Sequence, residues 1–128
     1  MEELQAIAST VIAELTGAEA GYVTCGAASG LTLGTAACLA GLDVSRMERL
    51  PDTNGMPNEV IMAREHRCGY DHAIRAAGAK IVDVGYNEGF TGAMRSTEIW
   101  EFEAAITDKT TAIALILYVW DPEKERQL

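Results

Sequence analysis

The chain opens on apolar positions that recur every three or four residues. Leu4, Ile7, Val11, Ile12 and Leu15 form one stripe and Gly17 follows, which predicts an amphipathic helix over 2–16. Tyr22-Val23-Thr24 is a short β-prone run ending at Cys25-Gly26. From Ala28 to Leu39, small residues carry Leu31, Leu33 and Leu39, a helix closed by Gly41. Residues 42–58 contain Pro51-Asp52, Asn54-Gly55 and Pro57-Asn58, turn chemistry that predicts one long loop. A loop of that length in a compact domain is more often functional than filler.

The second half alternates again. Residues 59–63 read as a strand, 70–77 as a short helix stopped by Gly78, and 80–84 as a strand ended by Gly85. Residues 85–95 form a second Gly-containing loop. Ile99, Phe102 and Ile106 share one face of a helix expected to start through Ser96 or Thr97, with Glu98 well placed near its N-terminus. Thr111 to Val119 is almost all apolar, as a strand buried on both faces would be. The predicted order is α-β-α-β-α-β-α-β, an α/β chain with a mostly parallel sheet and alternating helices in one domain over 1–128.

Charge narrows the function classes. With 10 Lys+Arg against 19 Asp+Glu the formal net charge is −9, the wrong sign for a general binder of nucleic acid or anionic membranes. The first residues lack the basic and apolar regions of a signal peptide, and the apolar run 112–120 is far shorter than the ~20 residues a spanning helix needs. Three cysteines, Cys25, Cys38 and Cys68, are odd in number and form no CxxC pair. These features predict free thiols and a cytoplasmic location. Cys38, inside an apolar helix, is expected in the core.

In parallel sheets ligands gather at the C-terminal ends of strands. Three loops are expected there. Cys25-Gly26-Ala27-Ala28-Ser29-Gly30 leads a strand into a helix through small residues, so backbone N–H groups and the helix dipole would receive a phosphate. It is neither a Walker A loop nor GxGxxG, and a plain tight turn is the equal alternative. Arg64-Glu65-His66-Arg67-Cys68-Gly69 offers Arg67 to a carboxylate or phosphate and the His66 ring to a flat heterocycle or a proton. For Glu65 and Arg64 a solvated charged loop is the alternative reading. A metal on His66, Cys68 and His72 matches no usual zinc spacing. Cys25 could act as a nucleophile at the helix N-terminus, with His66 as its base. In the third loop Asn87, Thr91 and Arg95 are possible substrate contacts, although a surface connection is the preferred reading.

Taken in order, these stretches resemble a known group. Glu14-Leu15-Thr16-Gly17-Ala18-Glu19-Ala20-Gly21-Tyr22-Val23-Thr24-Cys25-Gly26-Ala27-Ala28-Ser29 is similar to the segment leading into the phosphate turn of fold-type I enzymes that use pyridoxal 5′-phosphate (PLP). Within these enzymes it resembles the selenocysteine synthase-like group, which includes L-seryl-tRNA(Sec) selenium transferase and D-glucosaminate-6-phosphate ammonia-lyase. Glu65-His66-Arg67, the run Tyr70 to Lys80, and Glu103-Ala104-Ala105-Ile106-Thr107 with Thr110-Thr111-Ala112 continue it.

The resemblance implies a PLP-transferase large domain in which Cys25, Gly26 and Ala27 hold the cofactor phosphate. His66 would lie by the cofactor ring and Arg67 by the phosphate or substrate. It further implies α,β-elimination of ammonia from a small phosphorylated amino sugar or amino acid, in a homo-oligomer. The −9 charge disfavours a tRNA substrate.

The group's pyridinium-pairing Asp and Schiff-base Lys have no counterpart among these residues. Lys80, Lys109 and Lys124 sit at a strand start, in a turn and in a polar tail, and Asp121 comes too early. The chain is therefore expected to be a fragment truncated at both ends and inactive alone. The competing expectations are a phosphate- or nucleotide-binding α/β module without covalent chemistry and a non-catalytic interaction domain. A dinucleotide binder would need a glycine fingerprint that is missing here.

Overall fold

The computed structural model describes residues 2–85 and 96–116. The chain divides into two compact units, residues 1–56 with 69–79, and residues 57–68 with 80–128.

The first unit is helical. Helix α1 (Glu2–Thr16) forms where the stripe predicted it, yet none of its residues is buried, and Leu4, Ile7, Val11 and Leu15 face outward. The expected strand at Tyr22–Thr24 does not form. Both backbone groups of Val23 are taken by the Gln5 side-chain amide, whose Oε1 accepts the Val23 N–H at 3.1 Å while Nε2 donates to its carbonyl at 2.8 Å. With both groups taken in this way, Val23 has nothing to offer a β-ladder. One contact made by a helix 18 residues upstream overrides the local β-propensity.

Helix α2 (Ala27–Ala40) ends at Gly41, whose N–H donates to the Ala37 carbonyl at 2.8 Å. Leu39, Ala40 and Thr35 are its buried positions, and Cys38 is exposed rather than in the core. An almost uniformly apolar helix does not announce which side faces inward, so the sequence misplaced Cys38. The predicted loop over 42–58 contains a further helix, α3 (Val44–Arg49), started by Asp43, which accepts the Arg46 N–H at 3.2 Å. Helix α4 (Asp71–Ala76) packs against α2, where the Thr32 hydroxyl donates to the Ala73 carbonyl at 3.2 Å.

The second unit carries a parallel sheet in the order β2-β1-β3, from β1 (Glu59–Ala63), β2 (Lys80–Val84) and β3 (Thr110–Ala114). The α/β parallel expectation holds, with three strands among the described residues. Burial follows position in the sheet. Val60, Ile61, Met62 and Ala63 of central β1 are buried, whereas the edge strand β3 is only partly covered. The last strand was expected to be the doubly covered one. Its run of apolar residues is the same signal that a central strand gives, and strand order is not written in it. Helix α5 (Ile99–Ala105) follows Glu98, whose N–H donates to Glu101 Oε2 at 2.7 Å.

Candidate functional site

In the second unit the chain leaves β1 through a single 3-10 turn, Arg64–His66, closed by the Arg67 N–H donating to the Arg64 carbonyl at 3.1 Å. The turn places Glu65, His66 and Arg67 together at the C-terminal edge of the sheet. A pocket of about 380 Å³ opens there, lined by Ala63, Glu65, His66, Ser96, Thr97, Phe102 and Leu115. Its walls mix apolar surface with a few polar groups, as small-molecule sites do. His66 is half-buried in this wall, and its Nδ1 faces the Ile116 N–H at 3.5 Å.

Glu65 is not a loosely solvated charge. Its Oε1 accepts the Thr97 N–H at 2.8 Å and its Oε2 accepts the Thr97 hydroxyl at 2.7 Å. The Thr97 hydroxyl and then the Thr97 N–H hold the Glu65 carboxyl below its ordinary value, against a small opposing effect of burial. This clamp also corrects the expected start of α5. Thr97 is committed to Glu65, so the helix begins behind Glu98 instead of through Ser96 or Thr97. Gly85 completes the arrangement. At φ +89 it lies so close to Thr97 that a Cβ there would collide with the Thr97 hydroxyl oxygen. No local pattern signals the pair, because its members are 32 residues apart.

The sign of the resulting pH dependence is fixed by that lowered value. The clamp contributes fully above the ordinary carboxyl range and is lost as pH falls through the folded-state value. Thr97→Val, which removes the hydroxyl and keeps the N–H, is expected to cost about 1 kcal/mol at neutral pH, a charge-assisted bond discounted for exposure. The difference should shrink as pH falls through the lowered folded-state value. Urea unfolding in a series of buffers from pH 7 downwards checks both statements, and a cost that never shrinks as the pH is lowered would contradict them.

Arg67 turns towards β2, where its Nη1 lies 2.5 Å from Asp83 Oδ1. Cys68 is half-buried and His72 is exposed on α4. Among the described residues no three His, Cys, Asp or Glu side chains gather as a metal site would require. Asn87, Thr91, Arg95, Asp121 and Lys124 lie outside the described residues. Phe102, Leu115 and Asp83 were not expected as site residues. The first two looked like ordinary apolar positions and Asp83 like a strand charge.

The expected phosphate turn belongs to the first unit. Gly26 stands at the N-cap of the 14-residue helix α2 with φ 124 and ψ 175, and no side chain caps that end. A Cβ placed on Gly26 would meet nothing within 4 Å, so the space before the first turn is open. Cys25, Gly26 and Ala27 are all exposed. No strand precedes them, so the turn is not at a strand's C-terminal end as expected. Uncapped first-turn N–H groups facing open space fit a phosphate, and the His66 ring in a pocket wall fits a flat heterocycle.

No family model matches the chain. It is 37% identical over 113 residues to D-glucosaminate-6-phosphate ammonia lyase of Salmonella typhimurium, covering 85% of this chain. The chain is a relative of the D-glucosaminate-6-phosphate ammonia-lyases. A solved structure of D-glucosaminate-6-phosphate ammonia-lyase matches it with a TM-score of 0.76 at 34% identity, over 88% of this chain and 30% of that one. A 5'-C-glycyluridine monooxygenase-decarboxylase from a Streptomyces species is 34% identical over 121 residues, 91% of this chain. The chain spans 28% and 29% of the length of the ammonia-lyase and monooxygenase-decarboxylase relatives respectively. Their likeness to it runs through both units, across the α2 N-terminus and the β1 turn alike. Among the described residues no helix is long and apolar enough to cross a membrane.

Proposed function

We propose that the chain supplies the phosphate turn and part of the ring and substrate surface of a PLP-dependent ammonia-lyase. Its substrate class is a small phosphorylated amino acid or amino sugar acid, and its reaction an α,β-elimination. The likeness to the ammonia-lyase over 85% of the chain carries this reading. Bound PLP would act as the electron sink for that elimination.

The chain's own residues have narrower tasks. The N–H groups after Gly26 bind a phosphate and align it with the positive end of the α2 dipole. His66 offers a ring face in the pocket wall. Arg67 meets an anionic group of the substrate. The apolar side chains of Phe102 and Leu115 line the pocket and reduce the water in it.

One observation favours a second reading, a phosphate-binding module without covalent chemistry. Lys80 opens β2 and the Lys109 carbonyl accepts the N–H of Glu59, the first residue of β1. Both lysines are therefore at the N-terminal edge of the sheet, about 13 Å of strand from the edge that carries His66.

Titrating PLP into the protein, followed by its absorbance, tests the first reading. Saturable binding is expected, weakened about tenfold by His66→Ala through loss of ring stacking. Equal affinity in the two proteins would remove His66 from the site. Borohydride treatment at equimolar PLP is expected to leave Lys80 and Lys109 unlabelled. A label on either would show covalent capacity at a place the geometry does not assign.

A further inference from the structure

Asp83 is an unusual residue for its position. Aspartate is depleted in strands, and here it is the fourth of five residues in β2, in register with the buried Met62 of central β1. Its carboxylate is taken up by Arg67, at 2.5 Å, with side-chain exposures of 29% for Arg67 and 36% for Asp83. The Arg46–Asp43, Arg49–Asp52 and Arg75–Asp71 pairs each join residues three or four apart in sequence. The Arg67–Asp83 pair instead joins the turn after β1 to the neighbouring strand, 16 residues on.

The geometry has a consequence for the guanidinium. Arg67 lies just beyond the 3-10 turn, and its backbone is fixed there by the bond to the Arg64 carbonyl. A long side chain is costly to order on binding, and each anchor that restricts it beforehand lowers that cost. Asp83 stands on β2 at the same edge of the sheet as the pocket, and its carboxylate anchors one nitrogen of the planar fork.

We propose that Asp83 is a positioning residue, which presents the Arg67 guanidinium to an anionic group of the substrate. This rests on the reading of Arg67 as a substrate contact given above. Asp83 does not itself touch the substrate. Its carboxylate would repel a phosphate, so any benefit to binding must come through the arginine.

A double-mutant cycle tests the proposal. D-glucosaminate 6-phosphate is titrated calorimetrically into the protein and into its Arg67→Lys, Asp83→Asn and double variants, with Asp83→Glu as the conservative replacement. Thermal unfolding is followed for each. We expect Arg67→Lys to weaken binding about tenfold and Asp83→Asn about fivefold, with the double variant no worse than Arg67→Lys alone. Asp83→Glu should recover most of the loss.

A merely structural Asp83 would lower the unfolding temperature and leave affinity unchanged, which would overturn the proposal. So would an Asp83→Asn loss that persists undiminished in the Arg67→Lys background, or tighter binding by Asp83→Asn. If Arg67→Lys binds as well as the unsubstituted protein, or the unsubstituted protein shows no saturable binding, the reading of Arg67 fails first and this inference falls with it.

Discussion

Truncating Ile61 to alanine is expected to destabilise the protein by about 2–5 kcal/mol, the range for removing a buried Ile side chain from a filled core. Ile61 is 0% exposed, at the middle of β1, in register with Val82 on one side and Ile113 on the other. Truncation leaves a void in the strand that both neighbours depend on, and that strand carries the turn with Glu65, His66 and Arg67. Ile113→Ala is the matched control. Ile113 is 45% exposed on edge strand β3, so its loss should cost under about 1 kcal/mol. Urea unfolding of the two variants checks the contrast, and similar midpoints would show that the centre of the sheet is not the packed element described here.

Gly78→Ala is the second large effect, expected at about 2–4 kcal/mol. Gly78 has φ +103, where an L side chain is strained, and a Cβ there would run into the carbonyl oxygen of Pro51 and lie 2.8 Å from Thr53 Cγ2. The obstacle is backbone, and it is held in place. The buried Thr53 donates its hydroxyl to the Gly78 carbonyl at 2.8 Å, and the Gly78 N–H donates to Arg75 at 2.9 Å. Gly34, in the interior of α2, is the opposite case. A Cβ there meets nothing within 4 Å, so Gly34→Ala should stabilise by about 0.5–1 kcal/mol through helix propensity. Denaturant midpoints of opposite sign are the expected result, and a Gly78→Ala protein as stable as the parent would contradict the packing around Pro51.

The fold was legible wherever a local pattern decides the outcome. The stripe of α1, the run of α2 up to Gly41, and the strands at 59–63 and 80–84 fall where periodicity and glycine stops put them. What escaped was decided by distant partners or by position in the sheet. Gln5 takes Val23 out of strand pairing, and Asp43 starts α3 inside what looked like a loop rich in turn residues. The apolar run at the end of the chain became an edge strand, because the burial of β1 depends on lying between two others.

The candidate site divides in the same way. Placing His66 and Arg67 beyond β1 needed only the end of a strand, and the structure puts them there. The Glu65–Thr97 clamp and the Asp83 partner of Arg67 are long-range polar pairs, which no spacing along the chain reveals. The loop ahead of α2 is a mixed case. Its small residues and open helix end were readable, and the strand expected before it was not.

We propose that the open N-terminus of α2 receives the phosphate of PLP. Phosphorus NMR of PLP titrated with the protein and with Ala27→Pro is the decisive experiment. Proline is tolerated at the first helical position and deletes one of the N–H groups assigned to the phosphate. A saturable shift of the phosphate resonance is expected, with about tenfold weaker binding by Ala27→Pro and unchanged helical circular dichroism. Identical binding by the two proteins, or no shift with either, would contradict it.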